Sequence, residues 1–329
     1  MKKIINDPQN VVEEMLEGIE AANPDVKYIE NTGVIARRSK TGKVGVISGG
    51  GSGHEPMHAG YVGEGMLDAA VSGNVFASPD PEKILTGIKA ADSGKGVLLI
   101  ITNYSGDCMN FSMASELAEM EGIETASVVV RDDVSVKDST ISTGRRGIAG
   151  TILVHKIAGA AAAAGYPLEE VRRLAQKAAD SVRTMGMAMS SCTLPAVGKP
   201  GFELADDETE LGMGIHGEPG VQRVKLMTAK ETAKVLLERI LEDMGKIMPK
   251  FALMVNGLGG TPLMELYILN REAHIFLQNK GAALHETFVG NYITSLEMAG
   301  CSLTLMALDE ELTSLMDAPC DTMAWKRRA

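Results

Sequence analysis

Three short segments of the chain combine glycine with a histidine or a carboxylate. The first is SGGGSGHEP at residues 48–56, which contains His54, and the second is NYSGD at 103–107, which ends in Asp107. The third is GMGIHGEPG at 212–220, in which His216 stands among glycines. Imidazole exchanges protons near neutrality, a nearby carboxylate stabilises its charged form, and a neutral imidazole can add to a carbonyl carbon. These residue types indicate proton transfer and nucleophilic capture of a carbonyl compound.

The glycines of the first segment allow positive φ angles or a close approach of the backbone to a ligand. The segment is neither a dinucleotide fingerprint, because His54 occupies its last glycine position, nor a phosphate-binding P-loop. Two interpretations stay open, a tight turn and a cradle for a small polyol or a phosphate. His58 follows His54 at helical spacing, but with no third ligand evident we predict no metal site.

Asp107 and His216 each have a structural and a functional interpretation. Asp107 is either the N-cap of a helix over residues 109–120 or a carboxylate that orients His54 or accepts a hydroxyl proton. His216 lies in an irregular segment among small residues, which favours a functional role. His155 lies on an apolar, alanine-rich helix, where we predict a hydrogen-bonded core residue.

The elements that position these side chains are strands followed by helices. An apolar strand at 44–48 runs into the first glycine segment, and a second at 96–102 runs into NYSGD. Asp80-Pro81 marks the start of a helix between them. Such alternation predicts stacked βα units, whose ligand crevice lies at the carboxyl ends of the strands.

The length of 329 residues predicts two α/β domains, each a mainly parallel sheet flanked by helices. The second half repeats the pattern, with a capping box at Thr228, a strand at 251–255 and a helix from Pro262. The long irregular stretch at 190–220 suggests a junction or a functional loop. We place the division between 185 and 186, so that residues 1–185 carry the first two segments and 186–329 carry the third.

Composition excludes several classes of protein. A net charge of −11 opposes binding to nucleic acid, and aromatic content of 4% leaves few surfaces for stacking bases. The four cysteines are widely spaced and form no CxxC pair, so we expect reduced thiols without a disulfide framework or structural zinc. No apolar run reaches the roughly 20 residues that cross a bilayer, and no signal peptide is evident. A cytoplasmic location is therefore expected.

Five strings in series resemble the K subunit of dihydroxyacetone kinases, and the similarity covers essentially the whole chain. They are GGGSGHEP (49–56), GNVFASPDP (73–81), NYSGD (103–107), GRRGIAGT (144–151) and GIHGEPG (214–220). The resemblance implies a two-domain α/β protein, usually a homodimer, that binds a small ketose between its domains. It also implies an activity, the phosphorylation of an alcohol group.

The resemblance implies roles for particular residues. His216 is expected to bond covalently to the substrate carbonyl as a hemiaminal, while His54 and Asp107 form the acid/base pair. The backbone expected to line the substrate is that of Gly51, Ser52, Gly53 and His54. The chain departs from the family at Thr102, a predicted substrate contact where the family commonly has lysine. This departure leaves the ketose open between dihydroxyacetone and a four-carbon ketose such as erythrulose.

The resemblance also implies partners. We expect no cofactor on this chain, since ADP and magnesium belong to a separate L subunit. An M subunit rephosphorylates that subunit from phosphoenolpyruvate through the phosphotransferase system. The chain ends without the ATP-binding domain of single-chain relatives, so it is expected to need the L subunit. Some relatives are non-catalytic, ketose-binding transcriptional coactivators, but His54, Asp107 and His216 favour the kinase. The ultimate phosphoryl donor and the docking of the L subunit stay open.

Overall fold

The computed structural model describes residues 2–137, 144–218, 220–245 and 250–328 and confirms the α/β class. The chain folds into two compact units. The N-terminal unit consists of Lys2–Val130, Thr151–Asp180 and 311–328; the C-terminal unit consists of Arg131–Gly150 and Ser181–Glu310. The units are thus discontinuous in sequence, unlike a single division at residue 185. The reason is that the chain leaves the N-terminal unit after Val130, returns along two helices, and returns again at its end.

Most strands of the N-terminal unit come early in the chain. They are β1 (Val26–Ile29), β2 (Val34–Arg37), β3 (Gly45–Ser52), β4 (Gly63–Glu64), β5 (Ala69–Val75), β6 (Val97–Thr102) and β7 (Thr125–Val130). The main sheet has the order β1-β2-β5-β3-β6-β7. β3 pairs in parallel with β5 and β6, and β6 pairs in parallel with β7. The predicted mainly parallel sheet is confirmed for this unit.

The helices that accompany these strands are α1 (Val11–Ala22), α2 (Pro81–Ala91), α3 (Ser105–Met120), α4 (Gly150–Ala163) and α5 (Leu168–Ser181). The predicted start of α2 is confirmed, because the Asp80 side chain accepts a hydrogen bond from the backbone N–H of Lys83 at 3.0 Å. Ile84 and Ile88 of α2 and Phe111 of α3 pack with Ile47 and Leu99 of the sheet. Each fully buried side chain of this kind contributes about 1.5–3 kcal/mol of transfer free energy.

The described part of the C-terminal unit holds the next strands and helices of the chain. They are β8 (Val182–Ala188), β9 (Glu208–Leu211), β10 (Gln222–Lys225), α6 (Ala229–Met244), β11 (Lys250–Gly257), α7 (Leu263–Asn279), β12 (Ala283–Gly290) and β13 (Gly300–Ala307). The sheet order is β10-β9-β8-β13-β11-β12. Leu236 and Ile240 of α6 and Leu266 of α7 pack on Phe251 and Leu303. The predicted capping box of α6 at Thr228 is confirmed.

This second sheet corrects the expectation of mainly parallel pairing. β11 and β12 are parallel, whereas β8 pairs antiparallel with β9 and β13, and β13 pairs antiparallel with β11. The connections explain the difference, because α7 carries the chain back between β11 and β12, whereas the segment 291–299 reverses it directly into β13.

The end of the chain returns to the N-terminal unit. Helix α8 (Glu310–Asp317) is followed by β14 (Cys320–Thr322) and β15 (Lys326–Arg327), which form a small sheet with β4. Within the described ranges, every helix falls short of the length and apolar character needed to cross a bilayer.

Candidate active site

The glycine segment continues strand β3 instead of forming the tight turn that was one interpretation. Gly49, Gly50, Gly51 and Ser52 are all buried strand residues. The Ser52 hydroxyl donates to the carbonyl of Gly73 at 2.7 Å, and a Cβ at Gly51 would lie only 2.7 Å from the backbone nitrogen of Ala77. Glycine is needed at position 51 because the segment 73–77 packs directly against the strand.

His54 lies just beyond the carboxyl end of β3 and is 3% exposed. Its ring stacks on Phe76, with centroids 4.9 Å apart and an angle of 10° between the planes. Gly53, with φ of 97°, turns the chain into this position, and its N–H donates to the Glu55 carboxylate at 3.0 Å. The aromatic contact holds the plane of the imidazole at the end of the strand.

Asp107 lies at the end of the neighbouring strand, where β6 leads into α3. Helix α3 begins at Ser105 with Tyr104 in the cap position, so the interpretation of Asp107 as the N-cap is wrong. The carboxylate instead accepts a hydrogen bond on Oδ2 from the hydroxyl of Thr102 at 2.8 Å. Thr102 and Asp107 are 3% and 4% exposed, so this is a buried contact.

His58 lies near the same carboxylate, beside Gly50 of β3. A Cβ placed on Gly50 would lie 3.2 Å from Nε2 of His58 and 3.7 Å from Oδ2 of Asp107. Burial, with smaller effects of His155 and His54, lowers the pKa of His58 well below its usual value and keeps the ring neutral. Among the residues that the structure describes, no group of three or more histidines, cysteines or carboxylates is arranged to hold a metal ion.

His216 belongs to the C-terminal unit, in the loop between β9 and β10. The irregular stretch predicted at 190–220 thus includes β9 and this loop. The N–H of Gly217 donates to the carbonyl of Gly214 at 3.2 Å, and Gly217 has φ of 79°, which closes a tight turn around the histidine. The His216 side chain is 21% exposed, so its ring is accessible to a small molecule.

Glu218, which was not among the residues predicted from the sequence, is a neighbour of His216. Its Oε1 lies 2.9 Å from Nδ1 of the imidazole, and its Oε2 accepts the backbone N–H of His216 at 3.0 Å. Burial alone would raise the pKa of the Glu218 carboxyl. The hydrogen bond and charge of His216, with the charge of Arg146, outweigh burial and lower that pKa to about 2. The carboxylate is therefore ionised throughout the neutral range.

Arg146 anchors this loop and was also missed. Its Nε donates to Asp133 at 2.8 Å, and its Nη2 donates to the carbonyl of Gly212 at 2.8 Å. A Cβ on Gly214 would collide with the Glu218 carboxylate and with the Arg146 guanidinium, so both groups pack against bare backbone. Arg146 lies in the motif GRRGIAGT (144–151) and Glu218 lies in GIHGEPG (214–220). The position of a carboxylate two residues after a histidine is the sequence signal that points to Glu218.

The structure thus brings some predicted residues together. Gly51, Ser52, Gly53 and His54 lie at the end of β3, and Thr102 and Asp107 lie at the end of the adjacent β6. His216 lies in the C-terminal unit, where its ring contacts Glu218. The substrate roles of these residues stay predictions.

Comparison with known proteins extends over nearly the whole chain. The family model described as the Dak1 domain matches residues 17–324. A curated protein of Listeria innocua, the dihydroxyacetone-binding subunit DhaK of a PTS-dependent dihydroxyacetone kinase, is 56% identical over 99% of this chain and 100% of its own length.

Two solved structures share the fold. The dihydroxyacetone kinase of C. freundii superposes with a TM-score of 0.91 at 37% identity, over 99% of this chain and 60% of the kinase. The dihydroxyacetone kinase operon co-activator DhaQ also gives a TM-score of 0.91, at 39% identity, over 96% of this chain and 99% of the co-activator.

Proposed function

The chain belongs to the Dak1 domain family, and we propose that it binds dihydroxyacetone for a kinase that phosphorylates an alcohol group. Its relatives over the full length include the DhaK subunits of such kinases. The single observation that carries the proposal is the accessible His216 imidazole, held through Nδ1 by an ionised carboxylate on a glycine-rich loop. A ring held in this way is suited to add to a ketone carbon, and the adduct is a hemiaminal.

Covalent capture would select ketoses over polyols. A polyol such as glycerol has no electrophilic carbon, so the selection depends on bond formation as well as on the shape of the site. The backbone from Gly51 to His54 lies buried at the strand end, where bare glycine permits close contact with a small substrate. We assign the substrate contacts to that backbone and to Thr102.

His54 and Asp107 supply the acid/base chemistry in this proposal. His54 takes the proton from the terminal hydroxyl of the ketose, and the resulting oxygen attacks a phosphoryl group. Asp107, whose carboxylate is fixed by Thr102, supports the charge on this pair. Phosphoryl transfer depends mainly on positioning and charge neutralisation, and we assign the ADP and magnesium to a separate L subunit.

The assembly is part of the same proposal. The L subunit would dock on this chain and would be rephosphorylated by an M subunit from phosphoenolpyruvate. The chain would act as a homodimer in the cytoplasm. The name of the Listeria relative, which is PTS-dependent, supports this donor over ATP.

The test is adduct detection followed by phosphotransfer. Native mass spectrometry with dihydroxyacetone is expected to show one adduct per chain, absent in His216→Ala and present in His54→Ala. With an L subunit, His54→Ala is expected to lose turnover by about 100- to 10,000-fold. His274→Ala is the matched control, since His274 contacts Thr287 and not this loop. An adduct on His216→Ala would refute the assignment.

The similarity to the co-activator DhaQ makes a second function worth testing. A non-catalytic ketose sensor would form the adduct and transfer no phosphoryl group with any L subunit. We favour the kinase because the Listeria kinase subunit is 56% identical, against 39% for the co-activator. Adduct formation without phosphotransfer, repeated with several L subunits, would reverse that preference.

A four-carbon ketose is a second candidate substrate. The residue at position 102 is threonine, and its hydroxyl is directed to Asp107, so no long cationic side chain extends from this strand end. Competition between dihydroxyacetone and erythrulose in the same assay would rank the two substrates by kcat/KM.

A further inference from the structure

The Glu218 carboxylate contacts His216 at two points. One oxygen lies 2.9 Å from Nδ1 of the ring, and the other accepts the backbone N–H of the same residue at 3.0 Å. A carboxylate that binds both the ring and the backbone of one histidine restricts rotation of its side chain. Such partners commonly set the tautomer and orientation of a working imidazole.

The protonation state of Glu218 decides the tautomer. An ionised carboxylate has no proton to donate and can only accept, so the proton between the two groups belongs to Nδ1. In the neutral ring the lone pair available for chemistry is then on Nε2. We propose that Glu218 is the positioning residue that fixes this tautomer and neutralises the charge that His216 acquires when it captures a carbonyl compound.

Arg146 lies beside Glu218, and its charge favours the ionised carboxylate. Its guanidinium is fixed by Asp133 and by the carbonyl of Gly212, and it lies with the Glu218 carboxylate against the bare Cα of Gly214. Asp133 is 1% exposed and Arg146 is 8% exposed, so this support is buried. The buried Arg146–Asp133 pair therefore fixes the inner side of the loop, while the His216 and Glu218 side chains are themselves partly exposed, at 21% and 31%.

The chemical step balances without a further reagent. The Nε2 lone pair forms the bond to the carbonyl carbon, and the π pair of the C=O moves onto oxygen, which takes a proton from water and releases hydroxide to the solvent. The ring keeps its proton on Nδ1 and becomes an imidazolium, whose charge the Glu218 carboxylate neutralises. This step rests on the proposed capture of a ketose by His216, whereas the effect of Glu218 on the tautomer does not.

The test uses Glu218→Gln, which keeps the shape and removes the charge. In the ketose-free protein, ¹⁵N NMR of labelled histidine reports which ring nitrogen carries the proton, and His216→Ala assigns the signal. The wild type is expected to show Nδ1–H, and Glu218→Gln a mixture of tautomers. The variant is also expected to weaken adduct formation by about 10- to 100-fold, the loss typical of a charge-assisted partner.

Glu210→Gln is the matched control. Glu210 accepts the N–H of Gly220 at 2.9 Å at the other end of the same loop, so its substitution removes a nearby charge without touching the ring. Glu218→Asp keeps the carboxylate and is expected to retain Nδ1–H. It answers the same question if Glu218→Gln does not fold.

The outcomes separate this inference from the proposed function. Unchanged Nδ1–H protonation in Glu218→Gln, or adduct formation at wild-type strength, would overturn the role of Glu218. A tautomer change in a protein that never forms an adduct would support the positioning of the imidazole while defeating ketose capture. Equal loss in Glu210→Gln would attribute the effect to general charge and also overturn the proposal.

Discussion

The hydroxyl of Thr102 donates a 2.8 Å hydrogen bond to Oδ2 of Asp107, and both side chains are buried. Thr102, which stands where the family pattern commonly has lysine, is therefore bonded to the proposed acid/base carboxylate. A buried carboxylate depends on such partners for the stability of its charged form. Under the proposed function, position 102 would therefore act on the chemistry through Asp107 as well as by the proposed contact with substrate.

Thr102→Val, which keeps the shape and removes the hydroxyl, tests this relationship. Loss of a hydrogen bond to a charged group corresponds to about 1.5–3 kcal/mol, so turnover is expected to fall about 10- to 100-fold. The adduct on His216 is expected to persist, which mass spectrometry checks. Thr102→Ser is the control and keeps turnover near the wild type. Equal turnover of the valine and serine variants would show that the hydroxyl has no role.

Gly50→Ala tests the packing around Asp107. The added Cβ would lie 3.2 Å from Nε2 of His58 and 3.7 Å from Oδ2 of Asp107, so the imidazole must move by a few tenths of an ångström. Turnover in the phosphotransfer assay is expected to fall roughly 10-fold, since small displacements in an active site are costly. Gly18→Ala on α1 is the control, because nothing lies within 4 Å of its Cβ position. Full activity of Gly50→Ala would argue against a tightly packed site.

Asp132 gives a prediction for the pH dependence of stability. Burial, opposed by hydrogen bonds from Ile148, Thr184 and Gly150, raises the pKa of this carboxyl from 3.8 to about 6. Its contribution to stability is therefore fully present below pH 3.8 and is lost as the pH rises through about 6. The difference between these two pKa values corresponds to roughly 3 kcal/mol in the free energy of unfolding.

Asp132→Asn removes the titrating group, so the stability of the variant is expected to change less between pH 4 and pH 7 than that of the wild type. Urea unfolding at a series of pH values measures this difference. The exposed Asp206→Asn is the control and should follow the wild-type curve. Parallel curves for Asp132→Asn and wild type would contradict the prediction.

His155 gives the opposite dependence. Burial lowers the pKa of this histidine from 6.5 to about 3, and neither ring nitrogen has a hydrogen-bond partner. Its contribution to stability is present above pH 6.5 and is lost as the pH falls toward 3, by up to about 5 kcal/mol. His155→Leu is expected to unfold at lower pH than the wild type in an acid titration followed by circular dichroism. His274→Leu is the control, and an unchanged acid midpoint in His155→Leu would refute the assignment.

His155 also shows where sequence reasoning was right and where it failed. Its burial on α4 follows from the apolar, alanine-rich run around it, and the core placement is confirmed. The predicted hydrogen bond is wrong, because the ring lies against His58 and Tyr61 without a polar partner. Those two residues lie far from position 155 in the chain, so no local pattern could identify them.

The second sheet was harder to predict than the first. Strand β8 begins at Val182, directly after helix α5 ends at Ser181. β8 is a strand because β9 and β13 pair with it, and β13 lies more than a hundred residues later. Pairing over such a distance leaves no signal in a short window of sequence.

Local chemistry in the sequence determined the layout of strands and helices, the starts of α2 and α6, and the positions of His54, Asp107 and His216 at the ends of strands or in a glycine-rich loop. These features depend on residues a few positions apart, so they can be recognised without a fold. Only the tertiary structure decided that Thr102 bonds to Asp107, that Glu218 holds the His216 ring, and that Arg146 supports the same loop. The reason is that a side chain's charge and orientation depend on which atoms surround it, and folding selects those atoms from distant parts of the chain.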